Sequence, residues 1–212
     1  DLAERYHQRL HVCHVPHPDD LLTIDEARQR GVGVTCEVTP HHLFLSREVT
    51  EKLGSFGYMK PPLVSNAEVD LFWERLDLVD IIATDHAPHT RMEKASADPP
   101  PGVPGLETLL PLLLRAVDED RLTLRRLEEM TYHNALAIYA RRAPEDTEIE
   151  VSVEEMYRLP KRGYQTRCNW SPFVGQWALG RVSKVRLRGD VVWKENQLMT
   201  SPGYGRPLNP CD

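Results

Sequence analysis

No stretch of this 212-residue chain approaches the roughly 20 consecutive apolar residues that a membrane-spanning helix needs, so no membrane partner is expected. No signal-peptide pattern opens it either. Cysteine is scarce. The four residues, Cys13, Cys36, Cys168 and Cys211, are too far apart to form the framework of a disulfide-stapled secreted domain, and a reducing, cytoplasmic setting is expected. Positive charge is in deficit: 26 Lys and Arg against 32 Asp and Glu leave a formal net charge of -6. That balance argues against nucleic acid or an anionic lipid surface as the main partner. Proline, by contrast, is plentiful at 17 residues, several of them in the run Pro99-Pro100-Pro101-Gly102-Val103-Pro104-Gly105. The length suits one large domain, or one with a small addition.

The patterning predicts alternating strands and helices in the first two-thirds of the chain. Leu10 to Val15 alternates as a strand that Pro16 ends. A helix capped by Asp19 or Asp20 runs to Arg30, with Leu21, Leu22, Ile24 and Ala27 on its buried side, and Gly31 stops it. Val32 to Val38 is the next strand, so the pair forms a parallel unit with a right-handed crossover. His41 to Pro62 reads as loop with a short helical piece from Glu48 to Leu53. Asn66 to Leu76 carries Val69, Phe72, Trp73 and Leu76 at helical spacing. Ile81-Ile82-Ala83 reads as a strand buried on both faces that breaks off into Asp85, His86, Pro88 and His89. Helices follow from Leu106 to Val117, where Pro111 makes a kink or marks the first turn, and from Leu122 to Ala140. Beyond Pro144 the period changes to two: Thr147 to Val153, then a hairpin from Gly180 to Leu198 turning at Gly189-Asp190. The expected class is therefore α/β. Residues 1–145 would hold about three βα units, too few to close a barrel of eight; residues 146–200 would form a small β part, and residues 201–212 would begin a linker.

In a βα barrel, catalytic groups sit at the C-terminal ends of the strands. Each predicted strand ends in residues able to bind a metal: Cys13 and His14, then Cys36 and Glu37, then Asp85. An Asp in that place can bind a cation through one oxygen and exchange a proton through the other, although it also suits an N-cap. A neutral His14 with Asp85 suits zinc, and a Cys13 thiolate favours zinc further. Neighbours on a strand face opposite ways, so Cys13 and His14 share a site only if the strand ends there, as Pro16 allows. Each candidate has an ordinary reading too: a strand cysteine is a small hydrophobe, and His14 could be a hydrogen-bonded core histidine. Glu37 in a buried strand needs a cation nearby. His41 and His42 read as packing their loop against the site, and His89 as an imidazole placed to hold a carboxylate. His11, His17 and His133 carry no specific signal.

The segments Cys13-His14-Val15, Thr35-Cys36-Glu37-Val38-Thr39-Pro40-His41-His42-Leu43, Ala83-Thr84-Asp85-His86-Ala87-Pro88-His89 and Pro99 to Thr108 resemble the second half of a dihydroorotase, a cyclic amidohydrolase. Trp170 to Gly175 and the hairpin Gly180 to Trp193 extend the resemblance over essentially the whole chain. Its specific part is Asp-His-Ala-Pro-His followed by Pro-Gly-Leu-Glu-Thr, and it points to the form that animals fuse with carbamoyl-phosphate synthetase and aspartate transcarbamoylase. The resemblance implies the C-terminal part of an amidohydrolase-type TIM barrel plus a small β part. It further implies a cytoplasmic homodimer that interconverts N-carbamoyl-L-aspartate and L-dihydroorotate in pyrimidine biosynthesis, using two to three Zn2+ per complete site. Carried over by residue, His14 would bind the second zinc of a lysine-bridged pair. Asp85 would bind the first and act as general base, then general acid. Cys13 and Glu37 would hold a third zinc, while His89 and the backbone at Pro101 would hold substrate. Lys60 stands where the family contacts substrate through an arginine, keeping the charge but losing the bidentate fork. The family's His-x-His pair, bridging lysine and one further zinc histidine have no counterpart here, so the chain alone is expected to lack part of the site. A catalytically inactive dihydroorotase-like scaffold, and another cyclic amidohydrolase such as an allantoinase or hydantoinase, are the alternative expectations.

Overall fold

A computed structural model describes residues 2–208. Cys211 and the end of the expected linker lie outside the described residues. In chain order the elements are α1 (Leu2–Arg5), β1 (Leu10–Val12), α2 (Pro18–Gln29), β2 (Val34–Val38), α3 (Pro40–Phe44), α4 (Arg47–Leu53), α5 (Asn66–Glu74) and β3 (Ile81–Ile82). They continue with α6 (Arg91–Lys94), α7 (Leu106–Asp118), α8 (Leu124–Glu128), α9 (Asn134–Ile138), β4 (Glu148–Arg158), β5 (Trp177–Leu187), β6 (Asp190–Lys194) and β7 (Gln197–Leu198). Among the described residues these strands make two sheets, β1-β2-β3 and β4-β5-β6-β7. The first is parallel, with His11 opposite Thr35, Val12 opposite Cys36 and Glu37 opposite Ile81. The second is antiparallel.

Alternation along the parallel strands decides what each face does. Cys36 and Val38 point into a core with Val15, Leu21, Phe72, Leu113 and Met130, so Cys36 is packing, not a strand-end ligand. Arg28 of α2 fastens this layer: it donates to the carbonyls of Val34 (3.0 Å) and Leu78 (2.7 Å) and pairs with Asp80. The Asp80 carboxylate in turn accepts the Cys36 amide at 2.7 Å. A second core combines Leu45, Met59, Leu63, Val103 and Leu112 with Leu159, Cys168, Trp170, Phe173 and Ala178. Residues on both sides of position 145 therefore share one apolar interior.

Several boundaries differ from the sequence expectation. β1 stops at Val12, not Val15, and β2 begins at Val34. The N-cap of α2 is His17, whose ring accepts the Asp19 amide at 3.1 Å, because Pro18 in the first turn fixes where the helix starts. The helical piece expected from Glu48 to Leu53 is α4, Arg47–Leu53, and the expected loop around it also holds α3 and a 3-10 turn at Gly54–Gly57. Pro111 lies inside α7, not in its first turn. A π-helical turn, Glu129–His133, joins α8 to α9. The β5–β6 turn sits one residue earlier than expected, at Arg188-Gly189, with Leu187 opposite Asp190 and φ values of 54 and 84. Two successive positive φ angles match the twist of an antiparallel pair.

One glycine is demanded by close approach. A Cβ at Gly57 would lie 2.3 Å from the Thr50 carbonyl oxygen and 2.7 Å from its Cα. Both are backbone atoms that cannot swing aside. Gly57→Ala is expected to cost about 2–3 kcal/mol of stability, read as a lower midpoint in denaturant; an unchanged midpoint would contradict the packing of α4 on this turn.

Candidate active site

The register places His11 and Cys13 of the first stave beside Thr35 and Glu37 of the second, on the face opposite the core. His11 Nδ1 lies 2.8 Å from Thr35 Oγ1, and its Nε2 lies 3.0 Å from Glu37 Oε2. One donor atom from each of His11, Cys13 and Glu37 falls within 4.8 Å of the others. Glu37 is buried, while Cys13 is exposed at the rim. Partial burial, then the charge of Glu37, then that of Asp85, push the Cys13 thiol pKa up. The Asp85 charge is thus felt at the Cys13 thiol. Such a crowd of like charges is what a divalent cation relieves.

His14 and Asp85 both take left-handed backbone conformations, with φ of 35 and 43. Because β1 has already ended, the alternation that would turn His14 away from Cys13 no longer applies. His14 Nδ1 is buried with no hydrogen-bond partner. Burial, His42 and His14 hold His41 well below the usual imidazole range. Burial and then His14 push His42 down to about 3. Both rings are thus neutral. His42 Nδ1 meets Thr39 Oγ1 at 2.9 Å in a capping arrangement that starts α3, which is the loop-packing role expected of it. His14 and Asp85 lie outside the tight His11–Cys13–Glu37 group.

Beyond Asp85, His89 Nε2 donates to the Pro101 carbonyl at 3.0 Å, leaving Nδ1 free of that bond. Trp170 Nε1 fixes the same segment by donating to the His89 carbonyl at 2.8 Å. Pro101 has no N–H, so its backbone offers only a carbonyl. Lys60 is exposed, its ammonium 6.0 Å from the Tyr58 ring centroid. Lys94 is completely buried and donates to the carbonyls of Tyr58 (2.9 Å), Pro100 (2.9 Å) and Gly102 (3.1 Å). It thereby ties the segment carrying Lys60 to the loop carrying Pro101. His86 Nδ1 accepts the amides of Gly105 (3.0 Å) and Leu106 (3.3 Å), at the start of α7. The sequence reading missed the roles of His11, His86 and Lys94. Only His11 had a signal, its i, i+2 spacing from Cys13 on a strand.

These features define a class of architecture: three parallel βα staves with metal-type donors at their ends, joined to a small antiparallel sheet, which is similar to half of an amidohydrolase-type TIM barrel. The L-hydantoinase of Arthrobacter aurescens superposes with a TM-score of 0.89 at 27% identity, covering 98% of this chain and 49% of that one. The inactive dihydroorotase-like domain of a Chaetomium thermophilum CAD-like multifunctional protein gives 0.76 at 26%, covering 95% and 56%. No family model matches the chain. Within the class, its sequence is dihydroorotase-like: it is 37% identical over 195 residues to the dihydroorotase of Halobacterium salinarum, covering 87% of this chain and 45% of that protein. It is 45% identical over 208 residues to the multifunctional protein CAD of Squalus acanthias, covering 98% of this chain and 9% of that protein. The chain thus spans about half the length of the dihydroorotases it matches.

Proposed function

We propose that this chain is the Asp85-bearing portion of a zinc-dependent dihydroorotase that interconverts N-carbamoyl-L-aspartate and L-dihydroorotate. The observation that carries the proposal is the close group of Cys13, Glu37 and the His11 ring, with side-chain S, O and N atoms within 4.8 Å at neighbouring strand ends and the Asp85 charge acting on the Cys13 thiol. The donors fit a divalent cation. A thiolate, imidazole and carboxylates together favour zinc, and the buried His14 Nδ1 has no protein partner that would compete with an ion for the ring. Cys13 and Glu37 would hold one ion, His14 and Asp85 the pair, with the remaining ligands outside these residues. Bound zinc would polarise the amide carbonyl and acidify the attacking water.

The side chains here supply the rest. In the hydrolytic direction Asp85 takes the proton of the attacking water through a carboxylate oxygen. As the ring C–N bond breaks, it delivers that proton to the departing nitrogen; ring closure runs the same transfers backwards. Lys60 would offer a positive donor to the substrate carboxylate, and His89 and the Pro101 carbonyl, hydrogen-bonded to each other at 3.0 Å, would line the substrate's side of the site. Multifunctional relatives in which this stretch is 9% of the length support fusion to carbamoyl-phosphate synthetase and aspartate transcarbamoylase. A cytoplasmic homodimer completes the reading. Among the described residues no helix is long and apolar enough to cross a membrane.

The test is a substrate panel on the full polypeptide: N-carbamoyl-L-aspartate and L-dihydroorotate against hydantoins and allantoin, with metal content measured in parallel. Turnover of the dihydroorotate pair well above the others is expected. Preference for a hydantoin or allantoin would transfer the chain to that activity, and no turnover in a folded, metal-loaded protein would make it a scaffold.

A further inference from the structure

We infer that His11 is the positioning residue for Glu37, a donor that aims the carboxylate at the cation beside Cys13; this rests on reading the trio as part of a metal centre. A carboxylate can only accept, so the 3.0 Å contact puts the proton on His11 Nε2. Nδ1 then carries the lone pair, and the Thr35 hydroxyl, 2.8 Å away, donates to it. The relay runs one way: Thr35 hydroxyl to His11 ring to Glu37 Oε2. Its geometry is set by the backbone ladder, since His11 and Thr35 are register partners and Glu37 follows two residues later on the same face. Tyr139 closes the outer side, its ring edge-on to His11 with centroids 5.8 Å apart. Oε1 of Glu37 has no protein hydrogen bond among the described residues, so it is the oxygen left to face an ion next to the Cys13 thiolate. Fixing a ligand from behind in this way is typically worth about 10- to 100-fold in metal affinity. His11 contributes it without being a ligand, because its Nε2 lone pair is covered by the proton it donates.

The experiment uses the full polypeptide loaded with Co2+, whose thiolate-to-metal charge-transfer band reports the ion beside Cys13, with affinity measured by chelator competition. His11→Ala is expected to weaken that ion about 10- to 100-fold while the band, once saturated, keeps its shape. His11→Gln, whose amide N–H can reach the carboxylate, should recover most of the loss, and Thr35→Val should show a smaller one. Unchanged affinity in His11→Ala overturns the proposal. So does failure of His11→Gln to rescue together with an altered ligand-field spectrum, which would make the ring itself a ligand. Cys13→Ser removes the band; if the unsubstituted protein shows none, the metal-centre reading of the trio falls, and this inference with it. A scaffold without turnover but with an intact band leaves the role of His11 standing, so the substrate panel and the spectrum fail separately.

Discussion

Asp85→Asn in the full polypeptide is expected to lower kcat in both directions by about 10²- to 10⁴-fold, the contribution of a positioned general acid–base group, with folding unchanged. The carboxamide keeps the shape of the carboxylate but cannot accept the proton of the attacking water, and its neutral oxygen is a poorer ligand for a divalent cation than a carboxylate. Nothing in the local structure should suffer. The side chain is exposed and makes no hydrogen bond among the described residues. Its backbone sits at φ 43, a left-handed conformation that Asn tolerates as well as Asp does. The melting temperature should therefore stay in place while steady-state rates collapse. A variant retaining activity within about tenfold of the parent, well short of a general base's share, would remove Asp85 from the proton path.

Asp85 stands out as a candidate because the sequence marks it twice, as the abrupt end of an apolar run and as part of a distinctive motif. Glu37 was legible for a related reason: a carboxylate amid Val34, Cys36 and Val38 has no cheap way to be buried alone. The staves themselves followed from buried runs and turn residues. What escaped notice lies where the sequence period is too short to speak or where the partner is backbone. α3 spans five residues, fewer than two turns, so periodicity could not announce it, although Thr39 followed by Pro40 is a helix-start pair. His11 looked ordinary because its meaning depends on facing Thr35 across the ladder, a fact of register. His86 and His17 work by accepting backbone amides, and an amide has no residue identity to read. The π-helical turn at Glu129–His133 shows as a break at Thr131 to Asn134 in the sequence, but its winding does not.

Lys94 is the extreme case, and Lys94→Met is expected to lower the melting temperature by roughly 10 °C, the equivalent of about 3–5 kcal/mol in a chain of this size. The ammonium is wholly buried with no carboxylate partner among the described residues, and burial pushes its pKa down. It is held instead by the three carbonyls of Tyr58, Pro100 and Gly102. Hydrogen bonds from a charged donor are each worth about 1.5–3 kcal/mol net, and the desolvation of the ammonium offsets part of their sum. Methionine fills nearly the same volume, so the cavity term is small and the loss reports the ammonium's bonds together with its contacts over the Tyr58 and Trp170 rings, 5.9 and 6.0 Å away. The Gly102 amide also donates to the Tyr58 carbonyl at 3.0 Å, so one bond between the two segments survives, and they should loosen without the core unfolding. Because Pro101 lies between two of the carbonyls and accepts from His89, the loosening reaches the substrate side of the site. On the proposed dihydroorotase reading, KM for dihydroorotate should accordingly rise more than kcat falls, since Cys13 and Glu37 are positioned by the parallel sheet and not by this loop. Lys94→Arg should rescue neither property, because the planar guanidinium cannot point three donors into a site shaped for an ammonium. A Lys94→Met protein that melts within about 2 °C of the parent, less than 1 kcal/mol, would show that the three carbonyls find other donors and that the loop is held by packing against Trp170 alone.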